Sequence, residues 1–186
     1  MDPSGPRPAP RPGLSAEEFS TRFQAGARVL WTLAAGLLGD PAEAEDVCQE
    51  AFLAAYARRA DFEPGTDFLA WMGRFVRNVS ANELRKRARR RTVRTDPVLL
   101  DQDEALGASP EAGPSLQQLD ERLLAGLREL GEVPRACFLL RTLRELSHAE
   151  IAALLSIPEG TAMSHFHRAR LFLRARLDPA FHGAQP

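Results

Sequence analysis

Apolar residues in this chain recur every three to four positions, and nowhere do they alternate with polar ones over the length of a strand, so the pattern predicts helices throughout. Ser15 and Glu18 have the spacing of a capping box, the serine to accept from the first turn and the glutamate to reach back. The helix they open would bury Phe19, Phe23, Ala27, Leu30 and Trp31. Gly39 and Asp40-Pro41 stop it and start the next, because proline suits a first helical turn. That second helix is predicted to run to about Ala60, with Ala44, Val47, Cys48, Ala51, Phe52 and Ala55 inward and the acids Glu43, Glu45 and Asp46 near its positive end. Asp61 to Thr66 reads as a loop. A third helix then runs from about Asp67 to Arg90, its stripe formed by Phe68, Trp71, Met72, Phe75, Val79 and Leu84.

Charge divides the chain where the apolar pattern weakens. A net charge of -1 conceals seven basic residues between Arg85 and Arg94, followed by seven acids and no basic residue from Thr95 to Glu121. Prolines and glycines interrupt that acidic stretch, which reads as a flexible linker over residues 95–115. Periodicity resumes near Leu116, predicting helices over about 116–130, 134–145, 148–155 and 159–177. The proline-rich start, residues 1–14, and the end, residues 179–186, read as tails. The expected fold is all-α: two small helical domains, residues 15–94 and 116–178, joined by the acidic linker.

The second domain holds the clearest local motif. Ser147-His148-Ala149-Glu150 is another capping box, and the short helix it opens carries Ile151, Ala152, Leu154 and Leu155. Ser156-Ile157-Pro158 breaks the chain, and a longer helix follows with Ala162, Phe166, Ala169 and Leu173 on one stripe. Two short helices across a tight turn fit a helix-turn-helix, whose second member lies in the DNA major groove. Thr161, Met163, Ser164, His165, His167, Arg168 and Arg170 would then face outward toward bases or phosphates. A helical hairpin with a basic solvated face is the other reading of the same pattern.

The basic run weighs toward nucleic acid. Arg85-Lys86-Arg87 and Arg89-Arg90-Arg91 continue the third helix, and so many positive charges repel one another unless a polyanion relieves them, although a solvated helix end has the same composition. Upstream aromatics could stack unpaired bases, but at helical spacing most belong to the core. Phe62, in the loop, is the best candidate for an exception.

Other chemistry finds little support. Cys48 and Cys137 are far apart and lack metal spacing, so both read as small buried hydrophobes. His165 and His167 are two apart, on different helix faces, and make a poor metal pair, although both gain charge at mildly acid pH. No glycine-rich phosphate loop, metal-ligand cluster or nucleophile–base arrangement is readable, so neither a cofactor, a metal nor a catalytic residue is expected. No apolar run approaches the length of a membrane span and the start lacks a signal-peptide core, which places the protein in the cytoplasm without membrane insertion.

Two segments, AEDVCQEAFLAAYARRADFEPGTDFLAWMGRFVRNVSANELRKRARR and LSHAEIAALLSIPEGTAMSHFHRARLFLRARL, resemble in order the two domains of the extracytoplasmic-function (ECF) group of bacterial sigma factors. The resemblance spans roughly residues 16–94 and 116–177. It implies that Asp46, Gln49 and Glu50, in a D-x-x-Q-E stretch, dock on core RNA polymerase. They fall on one helix face, which without the family would read as merely solvated. It implies that the loop of Phe62, Glu63, Gly65 and Thr66 captures a flipped minus-ten base, with Arg74, Arg77 and Asn78 beside it and Arg85, Lys86 and Arg89 following the strand. The second domain would read the duplex minus-thirty-five element. Promoter DNA, duplex and melted, and an anti-sigma factor are the other expected partners.

The linker fits that role mechanically. About 21 flexible residues have a root-mean-square span of roughly 25 Å and extend to roughly 70 Å, against roughly 60 Å for promoter elements some 17 base pairs apart. Four positions depart from the family. Asn82 stands where an acid is usual, Ser156 where glycine is usual, and Met163 and His165 where lysine or arginine is common. Ser156 would then adopt a left-handed conformation at some cost. The expected function is transcription initiation as a sigma factor. The alternatives are a sigma-like decoy that occupies an anti-sigma protein, and an enzyme.

Overall fold

The computed structural model describes residues 13–93 and 121–177. Within them the capping signals act as their chemistry dictates. The Ser15 hydroxyl accepts from the Glu18 N–H at 3.2 Å while the Glu18 carboxylate accepts from the Ser15 N–H at 2.9 Å, opening α1 (Ala16–Leu38). Gly39, at φ 72°, ends that helix by donating its N–H to Ala35 O. Asp40 caps α2 (Pro41–Ala57), its side chain accepting from the Ala42 N–H at 3.0 Å. Asp67 accepts from the Ala70 N–H at the start of α3 (Phe68–Val93). The second half holds α4 (Glu121–Glu129), α5 (Glu132–Leu143), α6 (His148–Leu155) and α7 (Glu159–Leu177). There is no strand among the described residues, and the all-α expectation holds.

Several boundaries differ from those expected. α2 ends at Ala57, and a single 3-10 turn (Arg59–Asp61) takes the place of its last residues. There the Arg59 side chain bonds Tyr56 O at 3.0 Å, and the Arg59 carbonyl accepts the Leu14 N–H at 3.0 Å. Leu14 was expected in the tail but is buried against the core, so the ordered chain begins earlier. Gly13 passes so close to Ala60 that a Cβ would lie 2.3 Å from its carbonyl oxygen. α3 runs on to Val93. The expected linker, residues 95–115, and residues 116–120 lie outside the described residues, as do residues 1–12 and 178–186.

Phe19, fully buried, is the hub of the first half. Phe52, Tyr56, Phe68 and Trp71 meet its ring edge-on at centroid distances of 5.3, 5.5, 5.6 and 6.3 Å, tying α1 to α2 and α3. Edge-to-face rings at these distances gain from their quadrupoles as well as from burial. The second half packs aliphatic and small residues instead: Leu139, Leu140, Ile151, Leu154, Ala162, Ala169 and Leu173.

The two halves share a joint along α1 and α3. Thr32 to Leu38 are buried on every side of α1, because α5 covers the face that α2 and α3 leave open. Gly36 meets Ala136 so closely that an added Cβ would lie 2.6 Å from Ala136 Cα. Arg135, only 7 % exposed, reaches across the joint. Its Nε donates to Gly36 O at 2.6 Å and its Nη2 to Leu37 O at 3.0 Å, while Nη1 donates to Leu130 O at 3.0 Å in its own half. These carbonyls are the unpaired ones left at helix C-termini, where the helix dipole is negative, so a cation is held there without a carboxylate. Burial still pulls the guanidinium below its ordinary value, with Glu132 opposing. Arg144 adds a bond from its Nε to the buried Thr32 hydroxyl at 2.8 Å.

Candidate nucleic-acid interface

Three surfaces gather the residues singled out in the sequence. The first is the outward side of α2. Asp46, Gln49 and Glu50 are all exposed there, on one side of the helix, as their spacing requires. Leu53 continues the same side one turn on and is 66 % exposed, an apolar contact that sequence reading passed over.

The second surface is a cleft of about 740 Å³ beside α3. Glu63, Thr66 and Arg74 line it from the first half, and Ala152, Ser156 and Ile157 from the second. Gly65 takes φ 90° in the loop that forms its rim, and the Thr66 N–H closes that turn on Glu63 O at 3.1 Å. Arg74 and Asn78 are exposed on α3, one turn apart. Two residues stand differently from the expectation. Phe62 is 3 % exposed, wedged against Trp71 at 5.4 Å and Phe68 at 6.0 Å with the Arg22 guanidinium over its ring. It is a core residue and not a platform for a base, because the 3-10 turn directs its side chain inward. Arg77 does not face open solvent: it donates to Leu154 O and, at 2.6 Å, to the Ser156 hydroxyl. Burial and the neighbouring Arg74 push its guanidinium below the ordinary value. Gly73, one turn earlier, lets α6 approach, since a Cβ there would lie 2.8 Å from Leu154 O.

Beyond the cleft, the basic end of α3 is less bare than the sequence suggested. Arg85 bonds Asn82 Oδ1 at 2.8 Å, so Asn82 keeps a partner where an acid was expected. Lys86 pairs with Glu83 at 3.0 Å, and Arg87 pairs with Glu43 of α2. Arg89 and Arg90 are exposed.

The third surface is the outer side of α7. Ser147 and Glu150 form the expected capping box at α6, with the Glu150 N–H donating to the Ser147 hydroxyl at 3.2 Å. These bonds hold the Glu150 carboxyl below the usual carboxylate range. Ser156 ends α6 in the left-handed conformation foreseen for it, φ 53° and ψ 48°, and the Ile157 N–H returns to Ala152 O at 3.1 Å. Ala162, Ala169 and Leu173 anchor α7, leaving Met163, Ser164, His167, Arg168 and Arg170 exposed and Thr161 and His165 half-buried. Burial, then Arg168, pushes His165 below its ordinary value, so it charges only at lower pH than a free imidazole.

The cysteines are free and chemically quiet. Cys137 is buried and Cys48 half-buried. Burial pushes their thiols up to about 11 and about 12, Glu45 adding to the second. Among the described residues no cluster of metal-ligating side chains occurs, and no helix is long and apolar enough to cross a membrane.

Sequence reading missed Arg135, Arg144, Gly36 and Gly73. The signal available was slight: a helix apolar on all sides at WTLAAGLL, which implies cover on two faces.

A helix bundle with an acidic outer face, joined to a capped helix-turn-helix with a basic one, defines a two-part transcription factor of the sigma kind. Residues 23–90 match the Sigma-70 region 2 family and residues 120–173 the Sigma-70 region 4 family. The ECF RNA polymerase sigma factor SigW of Bacillus subtilis is 29% identical over 80% of this chain and 82% of its own length. The RNA polymerase sigma-H factor of Pseudomonas aeruginosa is 32% identical over 75% of this chain and 76% of its own. Among solved structures, the sigma factor RpoE of Bartonella quintana, in complex with the anti-sigma factor NepR, matches with a TM-score of 0.67 and 25% identity over 87% of this chain and 98% of that one. The chain belongs to the ECF sigma factors of RNA polymerase.

Proposed function

We propose that this chain docks on core RNA polymerase through the outer side of α2, takes a melted minus-ten strand at the cleft beside α3, and reads a duplex minus-thirty-five element along α7. In this reading, residues 15–94 serve the polymerase and the minus-ten element, 95–115 are the tether, and 116–178 serve the minus-thirty-five element. The observation that carries it is placement. An acidic face, a cleft lined by Arg74 with Asn78 exposed one turn further along the same helix, and a basic helix behind a helix-turn-helix break lie on three separate surfaces of one chain. Each surface suits one partner: a basic protein face, an unpaired strand and a duplex groove.

The two halves must part for this to work. Arg77 and Ser156 are 2.6 Å apart, whereas promoter elements some 17 base pairs apart are separated by roughly 60 Å. Opening frees Arg77 for phosphate and uncovers the cleft. An anti-sigma protein, such as the one bound to the Bartonella relative, would act by holding the halves where DNA and polymerase cannot reach both. RNA synthesis itself is the polymerase's chemistry, and the chain works where the polymerase does, in the cytoplasm. A decoy that merely occupies an anti-sigma protein needs no nucleic-acid surface, and exposed Arg74, Asn78 and Arg170 favour the initiating role.

Run-off transcription with purified core polymerase on a genomic fragment library tests the proposal. Transcripts that start downstream of a shared pair of elements, only when this protein is added, are expected. Binding to core without any specific start would overturn it in favour of the decoy.

A further inference from the structure

Met163 is 54 % exposed, one turn into α7, in the part of a groove-entering helix that meets base edges. We propose that it reads the 5-methyl group of a thymine in the minus-thirty-five duplex, so that promoter choice at this position rests on an apolar contact and not on charge. The inference builds on the reading of α7 as the helix that enters the groove.

Three observations support it. First, two of the polar side chains near Met163, Ser164 and Arg168, are bonded to the helix itself. The Ser164 hydroxyl donates to Gly160 O at 2.8 Å, and Arg168 Nε donates to Ser164 O at 3.3 Å with its Nη2 lying 3.5 Å from His165 Nδ1. Secondly, the surface beside Met163 is open to close approach: Gly160 lies three residues before it, on the same side, and a Cβ there would meet nothing within 4 Å. Thirdly, the helix has the charge of a DNA ligand. It carries Arg168, Arg170, Arg174 and Arg176, the last paired with Glu129 of α4, against the single acid Glu159. A polyanion is therefore the occupant the surface fits.

In the major groove the apolar feature of a base edge is the thymine C5-methyl, and a methionine, unbranched and polarisable, can follow it. Half-exposed, Met163 leaves apolar surface in water that such a contact would cover.

The test uses holoenzyme assembled with core polymerase and a duplex carrying the mapped minus-thirty-five element. Each thymine is replaced in turn by deoxyuridine, which lacks only the methyl. One position is expected to lose about fourfold in affinity, the worth of one buried methyl. Met163→Ala should abolish that difference while the element stays bound, and Arg170→Ala should weaken binding at every sequence alike. If the element is bound and Arg170→Ala weakens it, but no thymine responds or Met163→Ala retains the response, the methionine inference falls alone. If the element is not bound and Arg170→Ala changes nothing, the reading of α7 falls with it.

Discussion

The cleft beside α3 and the outer side of α7 use similar side chains, yet the folded chain leaves them in opposite states. Arg77 at the cleft is already satisfied, by Leu154 O and Ser156, and the turn between α6 and α7 forms one wall. Met163, Arg168 and Arg170 on α7 face outward. In the proposed function, the surface for a melted strand is covered by the other half and the surface for a duplex is not. If the two surfaces act as proposed, contact with a duplex can precede opening, while uptake of a melted strand depends on it.

The largest effect should come from the framework that supports the covered reader. Phe19→Ala removes the ring on which α1, α2 and α3 converge, and is expected to cost about 3–5 kcal/mol, read by thermal or denaturant unfolding. A loss below 1 kcal/mol would mean that the aromatic cluster is not what holds the cleft. Next, Gly36→Val forces a side chain into a gap where even a Cβ would come within 2.6 Å of Ala136. The halves should separate, seen as a longer distance between fluorophores placed one on each half. Affinity for a single-stranded minus-ten oligonucleotide should rise by about tenfold, or 1.4 kcal/mol, with duplex minus-thirty-five binding unchanged. Equal gains at both sites would erase the contrast between them.

A smaller effect is expected at the open reader. Ser147→Ala deletes the cap of α6 and should cost about 1 kcal/mol at neutral pH. Because the Ser147 bonds hold the Glu150 carboxyl low, their stabilisation is complete above the ordinary carboxylate range and is lost as pH falls through the folded value. The difference between variant and parent should therefore shrink below about pH 4. The smallest effect concerns His165. Its imidazole should titrate below about 6.5, followed by NMR, and Arg168→Ala should move it part of the way back, since burial is the larger cause. A midpoint at or above the ordinary value would place the ring in solvent, outside the contact with Arg168.

Much of this arrangement could be read from sequence because it is local. Ser15 with Glu18, Asp40 with Ala42, and Ser147 with Glu150 are caps whose partners lie within three residues, and Ser156 sits where a helix must turn back. What escaped is non-local. Arg135 finds its carbonyls 98 and 99 residues away, and no periodicity announces such a pairing. Phe62 was mistaken for a base platform because a loop aromatic is exposed by default, whereas a 3-10 turn carries this one into the core. The acidic side of α2 was legible as a helix face, but its reach to Leu53 was not, since only the folded chain shows that large apolar side chain left 66 % exposed.

The Arg135 joint has a consequence for how ionic strength acts on this protein. Its guanidinium is buried and bonded to carbonyl oxygens, so dissolved ions screen it weakly, whereas exposed arginines on phosphate lose their grip as salt rises. Added salt should thus release DNA without unfastening the halves.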